Sequence, residues 1–207
     1  MFNEKIEMSK VWLIDSGHGG VIKGNYVTAP DKMFEHSPEE IFYEGVFNRI
    51  IKQKLLERLW DIGINAIDLC PTELDLPLQA RADIANIYYE RYRNSVGISL
   101  HSNAGGGRGF EIWTSPGETD SDKYAEILGE ILIERFTLPF RKDAATGAID
   151  KESLFYILTQ TQCPFILPEC LFFDNYEDYK LLNDPYFRER YVEALVSFIQ
   201  KSELAFA

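Results

Sequence analysis

Apolar positions in this chain follow two periods that take turns. Short runs with little polar interruption, Val11 to Ile14, INAIDL at 64–69, VGISLH at 96–101 and PFILPE at 164–169, fit strands buried on both faces. The stretches between them carry apolar residues at helical spacing. Phe47, Ile50, Ile51, Leu55 and Leu59 form one such face, ending near Gly63, and the segment 77–93 forms a second helix. Tyr124, Ile127, Leu128, Ile131 and Leu132 mark a third, capped by Asp120 or Ser121 and running to about Phe136. Asp184-Pro185 opens a last helix that reaches about Lys201, and NYEDYKLL before it also suits a helix. RGFEIWTS (108–115) alternates Phe110, Ile112 and Thr114 against Glu111, Trp113 and Ser115, as a strand with unlike faces would. FYILTQT (155–161) is expected to be a further short strand. After the first strand comes a loop of about twenty residues. Ser37-Pro38-Glu39-Glu40 then has the form of a capping box, so the first helix begins either at Pro38 or after Gly45.

Strands alternating with helices predict an α/β fold: a three-layer αβα sandwich with a mostly parallel or mixed central sheet of about five to six strands and helices on both faces. No repeat, low-complexity tract or Ser/Gly-rich linker divides the 207 residues, so one domain is expected over 1–207. Open sheets of this kind place their sites beyond the carboxyl ends of the strands.

Charge narrows the partners. With 33 Asp plus Glu against 21 Lys plus Arg, the formal net charge is -12, a field that repels nucleic acid and anionic membrane at long range. Residues 1–10, MFNEKIEMSK, lack the apolar run of a secretory signal, and no later stretch approaches membrane-spanning length. The chain as written is therefore expected to be made in the cytoplasm without membrane insertion, and a leader removed from a longer precursor stays compatible with it. Cys70, Cys163 and Cys170 form neither an even framework nor a CxxC pair. The chain between Cys163 and Cys170 spans roughly 23 Å when extended, too far for a disulfide, so free thiols are expected.

Three of the apolar strands end in a metal ligand or an acid: VWLIDSGH at His18, GISLH at His101 and FILPE at Glu169. Both histidines adjoin glycine-rich turns, DSGHGG and SNAGGG, where backbone can approach a ligand closely. Gly17, Gly19 and Gly20 are expected to let the first turn bend and to leave space beside the ligand. Two neutral imidazoles, one carboxylate and a fourth position left to water make an open catalytic zinc site. The carboxylate candidates are Glu35, Glu39, Glu40 and Glu44, and periodicity does not choose among them. Zinc in such a site lowers the pKa of bound water to about 7 and polarises an amide carbonyl, while a nearby carboxylate moves the proton to the departing amine.

These residues resemble the zinc-dependent N-acetylmuramoyl-L-alanine amidases, the type that includes bacterial cell-separation amidases and phage lysins. The resemblance rests on D-S-G-H-G-G, E-G-V-F-N, S-L-H-S-N-A and F-I-L-P-E-C-L-F-F-D-N in that order, with R-A-D-I-A-N as a weaker match, and covers about residues 11–200. It implies one catalytic domain that hydrolyses the amide between the lactyl group of N-acetylmuramic acid and L-alanine in peptidoglycan. It further implies His18, Glu44 and His101 as zinc ligands, Glu44 being chosen because Asn48 follows at the family's interval, and Glu169 as the catalytic carboxylate. Pro168, Cys170 and LFFDN depart from the usual pattern around that acid and bear on the pocket wall.

Around this set, Asp15 is a candidate to orient a histidine ligand, Asn103 to bind substrate or shape its turn, and Arg81 to touch substrate or anchor its helix to the sheet. His36 is expected at the surface before the helix cap. The acidic chain has no electrostatic help on an anionic wall, so targeting or activation by a protein in trans fits the resemblance. A zinc peptidase acting elsewhere on the peptide stem, and a silent wall-binding or activator module on the same fold, are the alternatives.

Overall fold

A computed structural model describes residues 10–206. The segment read above for an export signal lies, apart from Lys10, outside the described residues. The elements in chain order are β1 (Val11–Ser16), β2 (Val21–Ile22), β3 (Asn25–Tyr26), β4 (Met33–Ser37), β5 (Glu40–Tyr43), α1 (Glu44–Asp61), β6 (Ala66–Asp68), α2 (Leu78–Arg91), β7 (Ser95–Asn103), β8 (Glu111–Thr114), α3 (Asp120–Arg135), β9 (Lys151–Glu152), α4 (Tyr156–Gln160), β10 (Phe165–Phe172), α5 (Tyr176–Asn183) and α6 (Pro185–Ala205). Six strands form one sheet in the order β6-β1-β7-β10-β8-β9. All its pairings are parallel except β10 with β8.

The uninterrupted apolar runs of β1, β7 and β10 follow from burial on both faces. Trp12, Ile14, Ile98, Leu100, Ile166 and Ile112 face a larger core built with α1, α3, α5 and α6. Val11, Leu13, Phe165 and Leu167 face a thinner one with Ala82 and Ala85 of α2 and Ile157 and Leu158 of α4. This is the expected αβα sandwich, thick on one side and thin on the other. Among the described residues, no helix is long and apolar enough to cross a membrane. All three cysteines are free and buried.

Four local expectations are corrected. The loop after β1 contains two hairpins, β2–β3 and β4–β5. Pro38-Glu39 is the turn of the second, so Ser37-Pro38-Glu39-Glu40 caps no helix and α1 begins at Glu44. The alternation Phe34, His36 against Met33, Glu35 suits a strand, and pairing with β5 outweighs the local capping signal. FYILTQT forms the short helix α4, which buries Ile157 and Leu158 one residue apart on the thin face, as a helical turn does and a strand cannot. The cap of α3 is Thr119 in a reciprocal capping box with Asp122, ahead of the Asp120 or Ser121 expected there. The last helix starts as expected, with Asp184 accepting from the Tyr186 amide.

Candidate metal centre

Register brings the acid and one histidine together. Glu169 of β10 pairs with His101 of β7 on one side and with Glu111 of β8 on the other. Because side chains alternate along strands, these three share the thin-core face and stand in a row near the carboxyl edge of β7. Glu169 is thus within β10, not at its end, and the strand continues past it through an irregularity in which Leu171 takes φ 61°.

Gly17 continues the row from β1. Its amide donates to the Leu100 carbonyl, and a Cβ there would lie 2.1 Å from Cε1 of His101. The imidazole occupies the space a side chain would need. The bend in the turn comes from elsewhere than expected: His18 itself is left-handed at φ 65°, whereas Gly17, Gly19 and Gly20 are not. Such a conformation costs a non-glycine residue of order 1–3 kcal/mol and persists only when its surroundings hold it. Arg81 donates to the carbonyls of Ser16 (2.6 Å) and His18 (2.9 Å), and Asn48 donates to that of Gly17 (3.2 Å).

Glu44 arrives from the opposite direction, on the first residue of α1. The helix packs so closely against the first turn that a Cβ on Gly45 would lie 1.8 Å from the Gly19 carbonyl oxygen. Glu44 is 2% exposed. One of its oxygens, Oε1, lies 3.0 Å from Nδ1 of His101, 3.2 Å from Nε2 of His18 and 3.3 Å from the Ser102 amide. The two imidazoles stand edge to face with centroids 4.9 Å apart. His18, Glu44 and His101 each offer a ligand atom within 4.8 Å of the others and could hold a metal ion. Burial works to raise the Glu44 carboxyl, but hydrogen bonds from His101 and His18 outweigh it and hold it at about 2. Burial likewise works against a charged His101, and Glu44 outweighs that and raises it. A buried carboxylate faced by two imidazoles demands positive charge between them, which a divalent cation supplies as well as a ring proton does. The donor set therefore fits zinc. Of the other candidates, Glu35 and Glu39 are exposed and Glu40 accepts from Tyr176 Oη.

Glu169 has a different environment. Its Oε2 is buried without a hydrogen-bond partner among the described residues. Burial pushes its carboxyl up to about 8; the His101 charge opposes this, while Glu44 and Glu111 reinforce it. Glu111 is buried too but fully served, accepting from Arg141 Nε (2.6 Å), Lys151 Nζ (2.7 Å) and Asn103 Nδ2 (2.9 Å). Its strand was expected to have unlike faces; Glu111 on one of them is buried and neutralised by Arg141 and Lys151, which local alternation does not register.

Asp15 makes no hydrogen bond to a histidine among the described residues. Its carboxylate accepts from Arg81 (2.6 Å) and Ser99 (2.7 Å), because it lies two residues before Gly17 on the same face, one step below the histidines. Arg81 is 2% exposed and acts as the anchor between α2 and the first turn. Asn103 shapes its own turn, accepting from the Ala104 amide while holding Glu111. His36 is a half-buried member of β4, 2.9 Å from the Phe173 carbonyl and packed on Phe34 and Tyr179. A cavity of about 390 Å³ opens over the row, lined by His18, Glu44, His101, Glu169, Arg81 and Lys32 and walled on its apolar side by Leu78, Phe155, Tyr156, Ile157, Leu167 and Phe173.

The family model for N-acetylmuramoyl-L-alanine amidase matches residues 13–201. A search of curated proteins finds no match. Among solved structures, an N-acetylmuramoyl-L-alanine amidase from Clostridium difficile 630 is similar at TM-score 0.77 and 22% identity, over 96% of this chain and 99% of that one. The N-acetylmuramyl-L-alanine amidase Ami1 from Mycobacterium smegmatis is similar at 0.73 and 20%, over 93% and 97%. The CwlD amidase from Clostridioides difficile, solved in complex with the GerS lipoprotein, is similar at 0.71 and 21%, over 96% and 100%. At these identities the structures speak for the fold.

Proposed function

The chain belongs to the N-acetylmuramoyl-L-alanine amidase family, and from that membership we propose that His18, Glu44 and His101 hold a zinc ion beside Glu169 as the catalytic carboxylate. The reaction is hydrolysis of the amide between the lactyl group of N-acetylmuramic acid and L-alanine in peptidoglycan. The observation that carries the site assignment is the pairing of Glu169 with His101 across neighbouring strands, with one carboxylate oxygen buried and unpartnered.

Zinc, when bound, lowers the pKa of bound water to about 7 and polarises the scissile carbonyl. Glu169 accepts the proton of the attacking water and delivers it to the departing nitrogen of L-alanine, which must be protonated to leave. Burial favours the protonated form of Glu169 and so helps it keep the proton until transfer. Arg81 and Asn48 keep His18 and Gly17 in register by holding their carbonyls. The wall of Leu167, Ile157 and Phe155 limits water on one side of the reacting bond.

Residues 11–200 form the core of one catalytic domain under this reading, acting at the cell wall. One structural relative is complexed with a lipoprotein, which supports a protein partner in trans for a chain whose net charge of -12 offers no attraction to an anionic wall. Mass spectrometry of purified peptidoglycan, digested with and without a chelator, tests the assignment. New L-alanine amino termini that vanish with chelator and return with zinc are expected; cuts elsewhere in the stem would make the protein a peptidase, and no products a silent module. Glu169→Ala should retain metal while losing hydrolysis, and unchanged hydrolysis would remove Glu169 from its role.

A further inference from the structure

The cavity over the metal centre is lined by two cations, Lys32 and Arg81. Arg81 is spent: Nε donates to Leu76, and the two terminal nitrogens donate to Asp15, Ser16, His18 and Asp75. Lys32 is different, since its Nζ makes no hydrogen bond or ion pair among the described residues. Its charge nevertheless reaches Glu169, whose carboxyl it draws downward. Its backbone is firmly held in the left-handed region at φ 59°, with the carbonyl accepting from the Glu44 amide (3.0 Å) and from Tyr26 Oη (3.0 Å). Tyr26 Oη in turn accepts from the Gly45 amide at 3.0 Å. The start of α1 thus fixes both a candidate metal ligand and a cation with no partner of its own, at the wall of the same cavity.

We propose that Lys32 is a specificity residue whose ammonium binds a carboxylate on the peptide side of the scissile amide. The proposal rests on the amidase reading above. In that substrate the lactyl carboxyl is consumed in the amide and the N-acetylated sugar is uncharged, so the nearest negative charge belongs to the peptide. A second stem residue joined through its side-chain carboxyl leaves its α-carboxylate free at about the reach of one residue. In a cavity that also holds Asp15, Glu44, Asp75 and Glu169, an anionic ligand needs one free cation to enter, and Lys32 supplies it.

The test compares two muropeptides that differ only in the second stem residue, one with the free α-carboxylate and one with the carboxamide. On Glu169→Ala protein with zinc, calorimetry should give about fivefold tighter binding of the carboxylate form, the upper end for a solvent-accessible ion pair. Lys32→Gln should bring that ratio to about one, and Lys32→Arg should keep most of it. On protein with Glu169 intact, Lys32→Gln should raise KM for the carboxylate substrate by about the same factor, with a smaller effect on kcat. A ratio that survives Lys32→Gln, equal binding of both muropeptides, or a shifted pH profile with KM unmoved would overturn the proposal; the last would make Lys32 an electrostatic partner of Glu169. If neither muropeptide is cut while the binding ratio follows Lys32, the loss falls on the amidase reading and not on Lys32.

Discussion

Replacing Glu169 by glutamine should change how the metal-free protein responds to pH. An ordinary glutamate has a pKa near 4.5, and burial at this position raises it to about 8. Below pH 4.5 the carboxyl is protonated in both folded and unfolded chains and imposes no penalty. As pH rises the unfolded chain ionises while the folded chain keeps its proton, so stability falls by about 1.4 kcal/mol for each pH unit between the two values. By pH 7 the loss is about 3 kcal/mol, and it levels off only once the folded carboxyl also ionises, near pH 8. Glutamine fits the same space and does not titrate. In chelator, the stability of Glu169→Gln relative to the native protein should therefore climb between pH 5 and 8 and then flatten. Urea denaturation at half-unit pH steps measures this, and taking the difference between the two proteins removes the groups that do not interact with Glu169, while His101 and Glu44, which do, contribute to the slope. A difference that stays constant from pH 5 to 8 would refute the argument that Glu169 is held in a desolvated, unpartnered site. Zinc should shrink the slope, because a cation beside Glu169 favours its ionised form.

Other substitutions probe the supports of the site. Gly17→Ala puts a methyl 2.1 Å from the His101 ring, so the imidazole must move; metal content by atomic emission should fall well below one per chain. Arg81→Met leaves Asp15 buried without its cation and should cost about 3–5 kcal/mol in denaturant, with Asp15→Asn added to it recovering part of the loss. Thr119→Ala removes the cap of α3, which does not line the cavity over His18, Glu44 and His101, and should cost about 1 kcal/mol in thermal unfolding while leaving hydrolysis intact.

The sheet and its flanking helices were legible because apolar runs and helical stripes reflect burial, and burial acts on every residue of an element at once. Val11 to Ile14 reads as a two-sided strand since both its faces meet a core. FYILTQT was misread because five residues are too few for period to separate a helical turn from a strand, and its fit against α2 decides the matter. Ser37-Pro38-Glu39-Glu40 has real capping chemistry, which pairing between β4 and β5 overrides. His18, His101 and Glu169 were visible as polar residues that follow apolar runs, although β7 continues to Asn103 and β10 to Phe172, so only His18 lies beyond its strand. Glu44 was not separable from its three neighbours by pattern, and only its likeness to a family motif singled it out.

By itself, the sequence determined which segments must be buried, that they alternate, and which polar side chains follow the apolar runs, since these follow from solvation of each segment. Tertiary structure decided what meets what. Strand register sets Glu169 opposite His101, close packing of α1 at Gly45 brings Glu44 between two imidazoles, and Arg81 holds the left-handed His18 in place. It also paired Asp15 with Arg81 and Ser99 and left Lys32 at a cavity wall with no hydrogen bond or ion pair of its Nζ among the described residues. Contacts of that kind depend on distances across the fold, and no local pattern of apolar and polar residues encodes them.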